Sequence, residues 1–205
     1  MDYYEDDLLR PRLSTETASS RTAFATIVSE RLLSVYELVG AEDVMNDVCV
    51  LRGIVDRLWA AVGGEGSVDQ EDYDLAGTLY PAQDGDDWRF FHGYGQNACG
   101  AIRFAVQSFM TSDIENSVSA GDEMYEAADY GARNSLPSTS FTFYDAAAEE
   151  LLSSQPVVRL VVETFAADLD QIQQAQDEEL HHIRAVMKTS LDAWASQWPR
   201  SYSAE

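Results

Sequence analysis

A chain of 205 residues with 45% hydrophobic content carries enough apolar surface for one globular domain and is short for two, which excludes wholesale disorder. Its 36 acidic residues against 13 basic ones give a net charge of −23, a field that repels nucleic acid and anionic membrane and draws cationic surfaces. No stretch approaches the ~20 apolar residues a membrane span requires, and the acidic start "MDYYEDDLLRPRL" lacks the apolar core of a secretory signal. The expected location is the cytoplasm, with Cys49 and Cys99 as buried, reduced thiols on two apolar helices.

Residues 1–18 are polar, charged and Ser/Thr-rich, and read as a flexible acidic tail ahead of a helical domain over 19–198; residues 199–205 read as a second tail. From Ser20 the apolar positions Phe24, Val28, Leu32, Val35 and Val39 recur at spacings of three and four, and Gly40 closes that helix. A second helix over about 42–62 places Val44, Val48, Leu51, Val55, Leu58 and Val62 on one face, and "GGEG" ends it. The acidic stretch "QEDYDLAGTLYPAQDGDDW" follows as an expected loop. A third helix over about 86–110 turns Trp88, Phe91, Ala98, Ile102, Ala105 and Phe109 inward. Its glycines Gly93, Gly95 and Gly100 each cost ~1 kcal/mol relative to Ala, so they predict close packing against a neighbour or a break near Gly93.

"SDIE" at 112–115 has the form of a capping box with Ser112 as the cap. The helix behind it runs to about Arg133 with Ile114, Val118, Gly121, Tyr125, Ala128 and Ala132 inward. "NSLPSTS" is a loop, a short helix covers 142–153, and Pro156 suits the first turn of the last helix. There Val158, Val161, Phe165, Leu169 and Ile172 keep period, and Leu180, Ile183, Met187, Leu191 and Trp194 resume it across a polar run. Unbroken, that helix spans ~40 residues and ~60 Å and forms the spine of the molecule. No strand alternation or hairpin signal appears, so the fold class is all-α: a single-domain helical bundle of five to seven helices with a long C-terminal helix.

The chemistry-bearing patterns are sparse. Calcium-loop registers fail: starting at Asp72, Ala76 stands where an oxygen ligand is needed, and starting at Asp84, Arg89 stands where Gly is needed. "EELHHIRA" offers two E-x-x-H pairs, Glu178/His181 and Glu179/His182, the spacing used in di-iron bundles, but His92 has Arg89 rather than an acid three residues before it. Exposed or hydrogen-bonded histidines are the simpler account, and no metal, cofactor or catalytic residue is assigned. No nucleophile elbow and no phosphate-binding glycine loop is present. The four tryptophans read as core.

Charge clustering is the remaining signal. Residues 63–90 hold eight acids and one Arg, and residues 111–132 hold six acids and no base. Asp72, Asp74, Asp84, Asp86 and Asp87, with Glu115, Asp122, Glu126 and Asp129, are expected to form an exposed anionic surface for a basic protein partner. Only Lys188 is a lysine, so compositional bias or a salty cytoplasm accounts for the acidity equally well.

"SERLLSVYELV", "LRGIVDRLWAAV", "EDYDLAGTLYPAQDGDDW" and the helical continuation resemble the YjaG-like family of uncharacterised all-helical bacterial proteins over about residues 20–196. The resemblance implies a fold and brings no catalytic residues. It also implies that Leu75, Leu79, Tyr80 and Pro81 lay a connection over the core. Three functional readings follow. The first is a non-enzymatic binding protein, most concretely an immunity protein or antitoxin neutralising a basic toxin such as a nuclease. The second is a regulatory or signalling helical protein, and the third a metal-carboxylate enzyme built on the E-x-x-H pairs.

Overall fold

The computed structural model of the chain describes residues 8–82, 88–137, 146–175 and 179–202, and among these the secondary structure is entirely helical. In chain order the elements are α1 (Arg10–Leu13), α2 (Ala18–Gly40), a short 3-10 turn (Ala41–Val44), α3 (Met45–Val62), α4 (Gln70–Thr78) and α5 (Phe90–Thr111). They continue with α6 (Ile114–Ser135), α7 (Ala146–Ser153), α8 (Pro156–Gln174), α9 (Leu180–Lys188) and α10 (Leu191–Ala195). The all-α, single-domain bundle is as the patterning implies. Elements beyond those expected are short: α1, α4 in place of the acidic loop, and α9 and α10 split from the last helix.

The spine is α2 rather than the C-terminal helix. Every residue from Thr22 to Tyr36 is buried, because α3, α5, α6, α8 and α10 all pack against this one rod. A helix buried all round must satisfy its polar side chains internally. The hydroxyls of Thr26, Ser29 and Ser34 donate to the carbonyls of Thr22, Ala25 and Glu30 one turn back, at 2.8, 2.8 and 2.9 Å. Arg31 donates to both oxygens of Asp168 on α8, at 2.6 and 3.0 Å, and the pair is buried.

The apolar stripes of the sequence land inward. Val48, Leu51, Val55 and Leu58 of α3, Val158, Val161 and Phe165 of α8, and Leu180 of α9 with Trp194 of α10 are all buried. What ends the long C-terminal helix early is the polar run after Ile172, the last buried residue of α8, where Ala175 turns extended at φ −80° and ψ 143°. The third helix shows no break at Gly93. Its glycines are close approaches: a Cβ on Gly93 would strike the ring of Tyr130, and one on Gly95 would come within 2.8 Å of the ring of Tyr36.

The N-terminal segment is packed from Leu8 onward. Leu9 and Leu13 are fully buried, and α1 is tied down by ion pairs from Arg10 to Glu115 and from Arg12 to Asp170, the latter at 2.7 Å. Polar composition hid this docking, since two leucines suffice to anchor one turn. At the other end the Pro199 carbonyl accepts the hydroxyl of Tyr94 at 2.9 Å, and Tyr202 sets its ring edge against Phe90.

Candidate functional site

The acidic stretch is helical, not a loop, through Thr78. Asp69 caps α4, accepting the backbone N–H of Glu71 at 2.9 Å and of Asp72 at 3.4 Å, while Asp72 accepts the N–H of Asp69 in return. Two acids thus make a reciprocal capping box, with negative charge where the helix dipole favours it. Asp72 is accordingly buried and paired with Arg57, so it does not belong to an exposed anionic surface. Likewise Ser112 is the left-handed residue that closes α5, at φ 59°, and Asp113 is the cap of α6, accepting from the N–H of Glu115 at 3.1 Å.

The other acidic positions separate. Asp74 is exposed and accepts from the amide of Gln70. Glu115 and Glu126 are exposed, the former paired with Arg10; Asp122 and Asp129 are half-buried, the latter paired with Arg133. Asp84, Asp86 and Asp87 lie outside the described residues. Glu178 and the side chain of His181 likewise lie outside what the structure describes, while Glu179 and His182 are exposed. Among the described residues no group of three or more His, Cys, Asp or Glu side chains is placed to hold a metal ion. Trp59, Trp194 and Trp198 are core residues and Trp88 is half-buried.

Both thiols are unpaired, and Cys49 proves exposed on the outer face of α3 while Cys99 is buried in α5. Burial, reinforced by the negative charge of Asp47 and Glu123, pushes the Cys99 thiol up to about 12, which removes it as a nucleophile. Glu123, unremarked in the sequence, lies against Gly100 with Arg103 nearby. Burial raises its carboxyl to about 7, helped by Asp122 and Glu126 and opposed by Arg103.

Among the described residues, an open cleft of about 490 Å³ lies where the end of α2, the 3-10 turn, the start of α3, the end of α4 and the start of α5 converge. Its floor is Tyr36 and Asp47; its walls include Tyr80, Pro81, Phe91 and His92. On the rim Arg89 is neutralised by Asp43 at 2.9 Å, while its backbone N–H donates to Nδ1 of His92 at 3.0 Å. That bond leaves the neutral imidazole proton on Nε2. Tyr36 is 2% exposed, and burial followed by the charge of Asp47 raises its phenol. Nothing in the periodicity pointed here. The signal available was Gly95, whose missing side chain lets the Tyr36 ring and Pro81 meet α5.

A second constellation holds the fold rather than a ligand. Glu30 is fully buried in α2 and accepts from Arg184 at 2.9 and 3.2 Å and from the indole N–H of Trp59, with Arg52 at 3.5 Å and Lys188 at 3.8 Å. Arg184 also reaches Asp56, and Arg52 reaches Glu37. Three cations therefore meet three carboxylates around one buried glutamate and bind α9 to α2 and α3.

Among the described residues these features define an all-helical protein with an open polar cleft, in a chain of strongly negative net charge. In structure the chain is similar to a DUF416 family protein from Shewanella baltica OS155, with a TM-score of 0.74 at 16% identity over 95% of this chain and 97% of that one. That likeness shows a shared fold. No family model matches the sequence, and no curated protein matches it either. No helix among the described residues is long and apolar enough to cross a membrane.

Proposed function

We propose that this chain is a non-enzymatic binding protein whose acidic exterior engages a basic protein, most concretely an immunity protein or antitoxin that neutralises a basic toxin such as a nuclease. The observation that carries the reading is how the scarce cations are used. Among the described residues, nine of the thirteen basic side chains are paired with carboxylates of the same chain. The net charge of −23 is thus carried by carboxylates such as Asp74 and Glu126 that face water. A field of one sign accelerates encounter with an oppositely charged partner, toward ~10⁸–10⁹ M⁻¹s⁻¹, and masks a nucleic-acid-binding groove by mimicking its charge. Placement within the YjaG-like family and in the cytoplasm belongs to the same proposal. The buried, unpaired Cys99 is consistent with a reducing compartment.

The test begins with a partner recovered by cross-linking in the native cell and then purified. Substituting Asp74→Lys, Asp122→Lys and Glu126→Lys together should slow association about tenfold and flatten its dependence on salt, with the helical signal retained. Unchanged affinity and unchanged salt dependence would overturn the reading.

A further inference from the structure

The cleft between the end of α2 and the start of α5 contains two polar groups that the fold leaves unanswered. Asp47 accepts no hydrogen bond and meets no cation among the described residues. Tyr36, buried except at its edge on the cleft, has no hydrogen-bond partner for its hydroxyl among them. Both groups face the open cleft rather than the sealed core, so the phenol oxygen and the carboxylate stand together where an incoming donor can reach them. Asp47 also lies in the first turn of α3, where a negative charge favours the helix terminus. That role explains the presence of an acid at the position, but not the open phenol beside it.

The surroundings determine which partner fits. Among the described residues the one guanidinium on the rim, that of Arg89, is paired with Asp43, so they offer an anion no free positive charge here. The lining carries two carboxylates and one guanidinium, and the excess negative charge sits at Asp47. The rings of Tyr80 and Phe91 offer faces for an alkyl stem and for a cation. A volume of about 490 Å³ accommodates a long side chain with accompanying water.

We propose that the cleft receives a lysine or arginine side chain of the basic partner, its ammonium or guanidinium donating to Asp47 and to the hydroxyl oxygen of Tyr36, its stem lying along the rings of Tyr80 and Phe91. This rests on the binding reading above and adds an anchor to it: the surface charge brings the partner in, and the cleft fixes its register. The same chemistry is available in a free diamine, so the source is decided by experiment.

The isotope-labelled full chain is titrated, with amide shifts as the readout, against four probes: blocked arginine methylamide, blocked lysine methylamide, their neutral norleucine analogue, and diaminobutane. Blocked arginine and lysine should shift residues of the cleft saturably, with millimolar affinity, and the norleucine analogue should not. Asp47→Asn should weaken both cationic probes about tenfold, as loss of a charge-assisted hydrogen bond requires, and Tyr36→Phe should weaken them about threefold. The same spectra report whether each variant is folded. Equal shifts with the norleucine analogue, undiminished binding by Asp47→Asn, or shifts scattered over the acidic exterior would overturn the proposal. Diaminobutane binding tenfold tighter than either blocked residue would overturn the assignment to a partner's side chain. The variant carrying Lys at 74, 122 and 126 should bind the blocked residues within a factor of two of wild type. Failure of the cleft with retained salt-dependent partner binding therefore refutes the anchor alone, and the reverse refutes the acidic exterior alone.

Discussion

Glu30→Gln is the substitution that tests most directly how this fold is held together. The glutamate is fully buried, and its two oxygens answer Arg184, the indole N–H of Trp59, Arg52 and Lys188. Glutamine keeps the volume and one acceptor, but removes the charge that lets three cations share one small region. Removing one partner of a buried ion pair costs about 3–5 kcal/mol. Here the cations are partly wet, with Arg184 and Arg52 side chains 18% and 27% exposed, so the lower end applies, about 3 kcal/mol. For a chain of this size that corresponds to a fall in Tm of about 6–12 °C. Urea denaturation should show the midpoint reduced at unchanged m. Because Arg184 and Lys188 both lie on α9, hydrogen exchange should rise there first, while the middle of α2 stays protected. A loss below about 1 kcal/mol, or protection lost evenly over all helices, would refute the view that Glu30 fastens α9 to the spine.

Gly93→Ala should cost about 1–3 kcal/mol, because the new methyl meets the Tyr130 ring, itself held by a hydrogen bond to the Phe90 carbonyl at 3.1 Å; a neutral thermal melt would contradict this. Glu123, raised from its ordinary value to about 7, favours the folded state below pH 4.5, and that contribution disappears as pH rises through 7. Glu123→Gln should therefore be more stable than wild type by on the order of 2 kcal/mol at pH 8 and no more stable at pH 4, as read by denaturation at both pH values. A thiol reagent should modify Cys49 in the native protein, and Cys99 only after unfolding, since Cys99 is buried with its thiol raised to about 12; two thiols reacting natively would refute that placement.

Periodicity made the helices and most of their inner faces legible, because apolar residues three and four apart have one physical outcome in a compact chain. It misjudged α2. A stripe through Phe24, Val28 and Leu32 implies one buried face, yet the serines and threonines between them are buried too, returning their hydroxyls to their own helix. Hydropathy counts those residues as polar and has no means of seeing that bond. The acidic helix α4 was hidden for a similar reason: its capping box uses aspartate at both positions, Asp69 and Asp72, where Ser or Thr paired with Glu or Gln is the pattern searched for. The Glu30 cluster joins Glu30 to Arg184 and Lys188 across most of the chain, and the cleft joins five segments, so neither leaves a local trace.

The same accounting of charge links stability to function. With 13 basic residues against 36 acidic ones, each cation placed in an internal pair is withheld from the exterior. The pairs are not spread evenly. Arg10 and Arg12 fasten the N-terminal turn to α6 and α8, Arg31 fastens α8 to α2, and Arg184 and Lys188 fasten α9 to Glu30. These are the peripheral elements, whereas α2 and α5 meet through uncharged contacts such as the Tyr36 ring on Gly95 and the paired hydroxyls of Thr22 and Ser108. Apolar packing therefore holds the centre, and ion pairs hold the edges. Under the binding reading proposed above, a basic partner would compete for the carboxylates of the exposed pairs, such as Glu115 with Arg10, more readily than for buried Asp168 or Glu30. On that reading the exposed carboxylates can exchange partners while the buried pairs keep the core intact.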